Sequence, residues 1–456
     1  MNRKIILLLF YFGLFFIHFN SFEGLKYLGE FQNEPGVYFF IVGFILLFFE
    51  KKFSLPLKTP IFQLMFIFFI WCFITTAFNI SGLLNSYLKH TTGITRFIRQ
   101  YFSLFLSMIF IFLFFHNVLK KMKIEDVLLK TRKVLLMALC FAFSLGFFET
   151  LYSVFGIGIA KKIIDVFNYF PFVEKDLFQE RISSIGNEPP DLALFLISIC
   201  TWMLSYIYTN KGYLRYFPIF MVVFLTYYSG SRTALIVILF QIILFLYLIT
   251  PKNLMIKYVR NFAVITVFLA FFLAFFESEK IVMSFESKIE SLNFSKNLTK
   301  NISNQSRFGI QYATLQVFLD HPIIGVGYGQ QSFYSRHYYP GWAKKNNYEF
   351  EYKYENSALR SFPPAYNLYT RILAETGIIG FSIFVLLLLF SLHSINSFIK
   401  KTKDKNLIIY LMVLYTTIIS LYLNWFQNDT FKIYVLWLSL VIFIKIKKEN
   451  TEQLNY

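Results

Sequence analysis

Apolar residues recur along almost the whole chain in runs long enough to cross a bilayer. About 20 mostly apolar residues in a helix span the hydrocarbon core. The pattern predicts about twelve membrane helices, near residues 4–20, 36–50, 60–79, 100–118, 134–155, 191–208, 215–229, 233–250, 260–277, 377–396, 406–425 and 431–446. Two polar interruptions are long: residues 156–190 and residues 278–376. The predicted class is an all-α polytopic membrane protein. Its predicted parts are helices one to nine over 1–277, an extramembrane lobe over 278–376, and the last three helices with a tail over 377–456. Residues 159–167 alternate apolar and charged positions at helical spacing, which predicts an amphipathic helix lying in the membrane interface.

Charge fixes the orientation. The chain carries 44 Lys and Arg against 26 Asp and Glu, a net of +18. With the N-terminus placed in the cytoplasm, the cytoplasmic segments hold 23 basic against 6 acidic residues, and the other side holds 21 against 20. Nearly all the excess positive charge therefore sits in short loops on one side, the positive-inside pattern. Both termini are expected in the cytoplasm. Anionic lipid of the inner leaflet accounts for the basic balance, and no nucleic acid is called for. The first apolar run lacks a small-residue cleavage site at its end, so a retained helix is expected rather than a signal peptide.

Composition removes several classes. Hydrophobic residues make up 56% of the chain and charged residues only 15%. A soluble multidomain protein of ordinary make-up carries far more charge. Cys72, Cys140 and Cys200 all lie in apolar runs without metal spacing. Neither a disulfide framework nor a zinc site is therefore predicted. No Asp-x-Asp metal motif occurs in the outer loops. The glycines of Gly325-Val326-Gly327-Tyr328-Gly329 follow no predicted strand and precede no lysine, which excludes a nucleotide loop. They suit a tight turn or close packing.

Arginine is distributed unlike lysine. Eight of 12 Arg lie on the outer side, but only 13 of 32 Lys. The guanidinium fork matches phosphate oxygens in pairs, so outward arginines suit an outer-leaflet pyrophosphate. Arg232 follows the turn Ser229-Gly230-Ser231 at the mouth of a helix, where N–H groups favour an anion. Arg307 opens a helical pattern that runs up to His321-Pro322-Ile323-Ile324-Gly325. Arg181 opens Arg181-Ile182-Ser183-Ser184-Ile185-Gly186-Asn187-Glu188-Pro189-Pro190. Glu188, with Asp191, also fits a plain role as partner of a helix N-terminus. Tyr366, Asn367, Arg371 and Glu375 have spacings that share one helix face, and Arg371–Glu375 also fits a simple i,i+4 ion pair.

These segments resemble the family of O-antigen polymerases and ligases, bacterial enzymes that move lipid-linked glycans. The resemblance covers roughly residues 180 to 385. It rests chiefly on Ala365-Tyr366-Asn367 through Gly377-Ile378-Ile379-Gly380 and on His321-Pro322-Ile323-Ile324-Gly325-Val326-Gly327, with Arg307 upstream of the latter. It implies a GT-C-like glycosyltransferase architecture in the bacterial inner membrane, with the active site on the periplasmic face. The implied reaction is inverting and metal-independent, needs no cofactor, and uses a glycan on undecaprenyl pyrophosphate as donor. Arg181, Arg232, Arg307 and Arg371 would hold the pyrophosphate, and Tyr366 and Asn367 would contact substrate. A chain-length-determining co-polymerase is an expected partner. Ligases of the family usually carry His-Asn where this chain has Tyr366-Asn367, and the His is their proposed base. A tyrosine with a pKa near 10 is a poor base. The departure favours a polymerase over a ligase and leaves His321, Glu375 and Glu188 as candidate bases. A lipid-linked oligosaccharide flippase is the rival class. It would place polar groups at the membrane midplane, where Gln241 is nearly alone.

Overall fold

A computed structural model describes residues 2–20, 22–50, 53–170, 172–173, 177–178, 180–250 and 302–454. The expected ninth helix at 260–277 and residues 278–301 of the expected lobe lie outside the described residues.

The chain opens with α1 (Asn2–Phe15), α2 (Pro35–Phe49), α3 (Pro60–Phe78) and the short α4 (Ile80–Asn85). A two-stranded hairpin, β1 (Tyr87–Leu88) with β2 (Thr91–Thr92), then leads into α5 (Gly93–Leu104). A π-helical segment at Phe105–Phe110 joins α5 to α6 (Ile111–Leu119). There follow α7 (Ile124–Ser153), α8 (Gly158–Phe167), α9 (Pro189–Thr209), α10 (Phe217–Ser229) and α11 (Arg232–Ile249). The lobe contains α12 (Ile302–Asp320), α13 (Gln331–Ser335) and α14 (Gly341–Lys344). The chain returns to the bundle as α15 (Leu368–Lys401), α16 (Lys405–Asn424) and α17 (Tyr434–Leu454).

Seven described helical stretches are long and apolar enough to cross a membrane: α3, the run Gly93–Leu119, α7, α9, α11, α15 and α16. The chain is thus an all-α polytopic membrane protein. The other described segments expected to span are helical too. Three of them, α1, α2 and α10, are only 14, 15 and 13 residues long. Two helices begin well before the apolar run that predicts them. The fourth span starts at Gly93, where Thr92 Oγ1 accepts from Thr95 N. The fifth starts at Ile124 with Glu125 and Asp126 in its first turn. Acids there complement the helix dipole. Hydropathy detects the part of a helix in lipid and misses a polar first turn.

The two ends of the bundle keep separate company. The ends expected on the outer side bond to one another: Asn187 N donates to Asn20 Oδ1, Arg181 Nε to Ser229 O, Ala365 N to Asp429 Oδ2, and Lys432 Nζ to Glu34 Oε1. The ends expected inside do likewise, through Asn117 with Ser54 and Arg132 with Ser205 and Thr209. Between them the bundle packs on phenylalanine. Phe10, Phe40, Phe114 and Phe115 are all essentially inaccessible and meet edge-on or tilted. In lipid such close packing, rather than a hydrophobic drive, holds helices together.

The lobe is tied to the bundle by backbone lying on backbone. At Gly377 (φ 64, ψ −171) the helical path of α15 breaks. Residues 322–327 fold onto that break: Val326 N donates to Ala374 O, Gly327 N to Glu375 O, and Ile378 N to Pro322 O at 2.8 Å. A Cβ on Gly325 (φ +78) would lie 2.6 Å from the Glu375 carbonyl carbon and from the N atoms of Thr376 and Gly377. No side-chain rotation relieves a clash with backbone. Gly325→Ala should therefore destabilise the protein by about 3 kcal/mol, from left-handed strain plus overpacking. A thermal or SDS unfolding midpoint in detergent checks this, and a midpoint equal to the parent's would show that the clamp yields.

Candidate functional site

Three loops at the end of the bundle expected to face outward bring several of the predicted residues together. The first is 180–188. Glu149, buried on α7, accepts from Ser184 N at 2.7 Å and Ile182 N donates to Tyr228 O, so the loop is fixed to α7 and α10. Sequence reasoning missed Glu149, because a single acid inside an apolar run carries no motif. The second is the α10–α11 turn. Gly230 takes the left-handed conformation there and Ser231 Oγ accepts from Ala234 N, opening α11 with Arg232 as its first residue. The third is the polar turn 425–432 between α16 and α17, which carries Gln427, Asn428, Asp429 and Lys432. It too was missed, because it reads as an ordinary short connection.

Arg181, Arg232 and Arg307 gather between these loops. Burial, followed by the guanidinium groups of Arg232 and Arg307, holds Arg181 below its ordinary pKa; Glu188 opposes them. Arg307 is also the charged neighbour of Arg232. Arg181 is exposed, and Arg232 and Arg307 are half-buried. Three cations that repel one another make a site for an anion, and guanidinium groups suit phosphate oxygens. Glu188 stands at the edge of this group as the N-cap of α9, its backbone N donating to Asp191 Oδ2 at 3.1 Å.

Tyr366 and Asn367 precede α15 rather than share its face, contrary to the expectation from their spacing. Tyr366 has φ +56. Asn367 is extended and caps the helix, its Oδ1 accepting from Tyr369 N and Thr370 N. An amide that closes a helix start cannot also be a turn inside it. Arg307 lies over the Tyr366 ring at 5.2 Å, so Tyr366 does reach the arginine group. Burial raises the Tyr366 phenol above its ordinary value, and its hydroxyl lies 2.5 Å from that of Tyr354.

Arg371 and Glu375 do share a face. They pair at 3.2 Å inside a buried network. Arg371 Nη1 donates to Asp429 O at 2.9 Å and Nη2 to Gln100 Oε1 at 2.6 Å. Gln100 Nε2 in turn donates to Glu30, which also accepts from Ser103 Oγ. Arg307 reaches the same turn through Gln427 Oε1 at 3.4 Å, so both arginines bond to residues of 427–429. Glu375 Oε2 is buried without a hydrogen-bond partner. His321 is set apart. It is exposed and meets Tyr334 edge-on at 5.6 Å. It directly follows α12, which places it about 20 Å along that axis from Arg307 at the helical rise per residue. Among the described residues no group of His, Cys, Asp and Glu is arranged to hold a metal ion.

A polytopic helical membrane protein with a cluster of arginines at one end of its bundle is the class that fold and site define. Residues 217–385, from α10 to the first turns of α15 after its break, match the family model described as O-antigen ligase. The match takes in Arg232, Arg307, His321, Tyr366, Asn367, Arg371 and Glu375, and leaves out Arg181 and Glu188. No curated protein matches the chain.

Proposed function

We propose that the protein is an O-antigen polymerase-type glycosyltransferase. It acts at the periplasmic face of the bacterial inner membrane, within a bundle of twelve helices of GT-C-like architecture and a lobe over 278–376. The observation that carries this is the gathering of Arg181, Arg232 and Arg307, drawn from three separate segments, at one end of the bundle. The donor is a glycan on undecaprenyl pyrophosphate, and the acceptor is the hydroxyl of a second lipid-linked repeat unit. The acceptor oxygen bonds to the anomeric carbon from the face opposite the leaving group. The bond from that carbon to the pyrophosphate oxygen breaks, and undecaprenyl pyrophosphate leaves. The three arginines stabilise the charge that grows on it, work that a metal performs elsewhere. Of the three candidate bases, Glu188 is exposed and within electrostatic reach of Arg181, whereas Glu375 is buried and His321 is remote. Glu188 therefore takes the acceptor proton.

The ligase reading has one observation in its favour, the description of the matching family model. Tyr366 argues against it. A phenol held above its ordinary pKa stays protonated through the neutral range and accepts no proton there. Tyr366→Phe should accordingly leave the pH–rate profile in place, and a displaced acid limb would make Tyr366 part of the proton transfer. The deciding assay uses purified protein in nanodiscs with one undecaprenyl-pyrophosphate-linked repeat unit and neither metal nor ATP. A ladder of longer lipid-linked glycans establishes the polymerase. Transfer only after addition of lipid A-core makes the protein a ligase. Inactivity of folded protein with both acceptors returns weight to a flippase.

A further inference from the structure

Helix α12 is apolar on two opposite faces. Ile310, Ala313 and Val317 are buried against the lobe and the first turns of α15. On the other side Tyr312, Leu315 and Leu319, followed by Ile323 just beyond the helix, form a stripe between 38% and 62% exposed. A soluble lobe would carry polar residues there. Contiguous apolar surface of this kind is a contact surface.

The depth of the stripe indicates what covers it. Ile324 O accepts from Thr75 Oγ1 at 2.5 Å, and Thr376 O accepts from Trp71 Nε1 at 3.1 Å. Thr75 and Trp71 lie in the last two turns of α3, a membrane-spanning candidate. The C-terminal end of α12 therefore sits no higher than the outer turns of a span. Ile378 N donates to Pro322 O beside Ile323, and Ile378 and Ile379 of α15 and Phe78 of α3 are exposed apolar residues near that level. These are the faces that a membrane helix turns to lipid.

We infer that α12 is seated in the outer boundary of the bilayer, with Tyr312, Leu315, Leu319 and Ile323 in contact with lipid. The lobe then rests on the membrane instead of standing clear of it. Arg307, on the flank of the same helix, is held near the level of lipid headgroups. This placement stands independently of the glycan-transfer reading.

Site-directed spin labelling tests it on the full chain in nanodiscs of phosphatidylethanolamine and phosphatidylglycerol. Cys72, Cys140 and Cys200 are replaced by Ala, and single cysteines are introduced as Leu315→Cys, Leu319→Cys and Ile323→Cys. Tyr352→Cys, on an exposed part of the lobe, is the reference. The ratio of oxygen to nickel-chelate collision rates should be severalfold higher at the three stripe positions than at the reference. Equal ratios would put the face in water, and dipolar broadening between labels would mean that a second copy covers it. Either result overturns the inference. If the labelled variants fold poorly, the unaltered protein is irradiated with a diazirine-bearing phospholipid and the adducts are mapped by mass spectrometry. Adducts within 312–323 support the placement. Their absence, with α3 and α15 labelled, removes it.

Discussion

Arg307→Ala should lower turnover on a lipid-linked glycan by about 10²–10³-fold, the usual cost of losing one donor to a developing oxyanion. The protein should insert and melt much as the parent does. Three features separate activity from stability at this position. The hydrogen bond from Arg307 to Gln427 is long at 3.4 Å. No acid pairs with Arg307 through a described salt bridge, so its removal strands no buried carboxylate. Arg181 and Arg232 repel it, so deleting one cation relieves the other two. Under the proposed reading, the charge on the leaving pyrophosphate is the large term that depends on Arg307. Arg307→Lys should restore turnover only in part, because an ammonium lacks the two-pronged fit to phosphate oxygens. Single-turnover rates and a melting midpoint on the same preparations check both statements. Full turnover by the alanine variant would exclude Arg307 from the leaving-group site.

Much of the proposed site was legible because it is built from residue types that are costly in a membrane protein. Arginines expected on the outer side oppose the positive-inside bias, so they stand out one by one, and Arg181, Arg232 and Arg307 of the four singled out lie near one another. The all-helical membrane class, with seven candidate spans among the described residues, was legible for a similar reason, since a long uncharged apolar run seldom does anything but cross a bilayer. The illegible parts are those where local pattern and three-dimensional neighbourhood part company. The spacing of Tyr366, Asn367, Arg371 and Glu375 suits one helix face, yet the helix begins only at Leu368, and Asn367 caps it. Spacing cannot say where a helix starts. The sequence also sets Arg307 and His321 at the two ends of one helical pattern. Only the unbroken run of α12 from Ile302 to Asp320 shows that they stand too far apart to share one reaction step. Glu30, Gln100, Glu149 and Asp429 carry no motif at all. Each gains its meaning from a partner on another segment: Gln100 meets Arg371 across 271 positions of sequence.

Arg371→Met should cost about 3–5 kcal/mol, as removal of one partner of a buried ion pair does. Arg371 joins three segments: Glu375 on its own helix, Gln100 on α5 and the Asp429 carbonyl in the turn before α17, with the Tyr328 ring 5.5 Å away. Glu375 is almost wholly enclosed and already has one oxygen without a partner, so losing Arg371 leaves a buried carboxylate with no described ion pair. Glu375→Leu in the same protein removes that charge. The double variant should regain most of the lost midpoint, since an apolar pair of similar volume often replaces a buried ion pair without loss. Activity then separates structure from chemistry. If the pair only positions the turn at 425–432, the stable double variant recovers turnover along with its fold. A double variant that melts like the parent but transfers no glycan would instead make Glu375 the base in place of Glu188. Unfolding midpoints and single-turnover rates for the parent, both single variants and the double close this cycle.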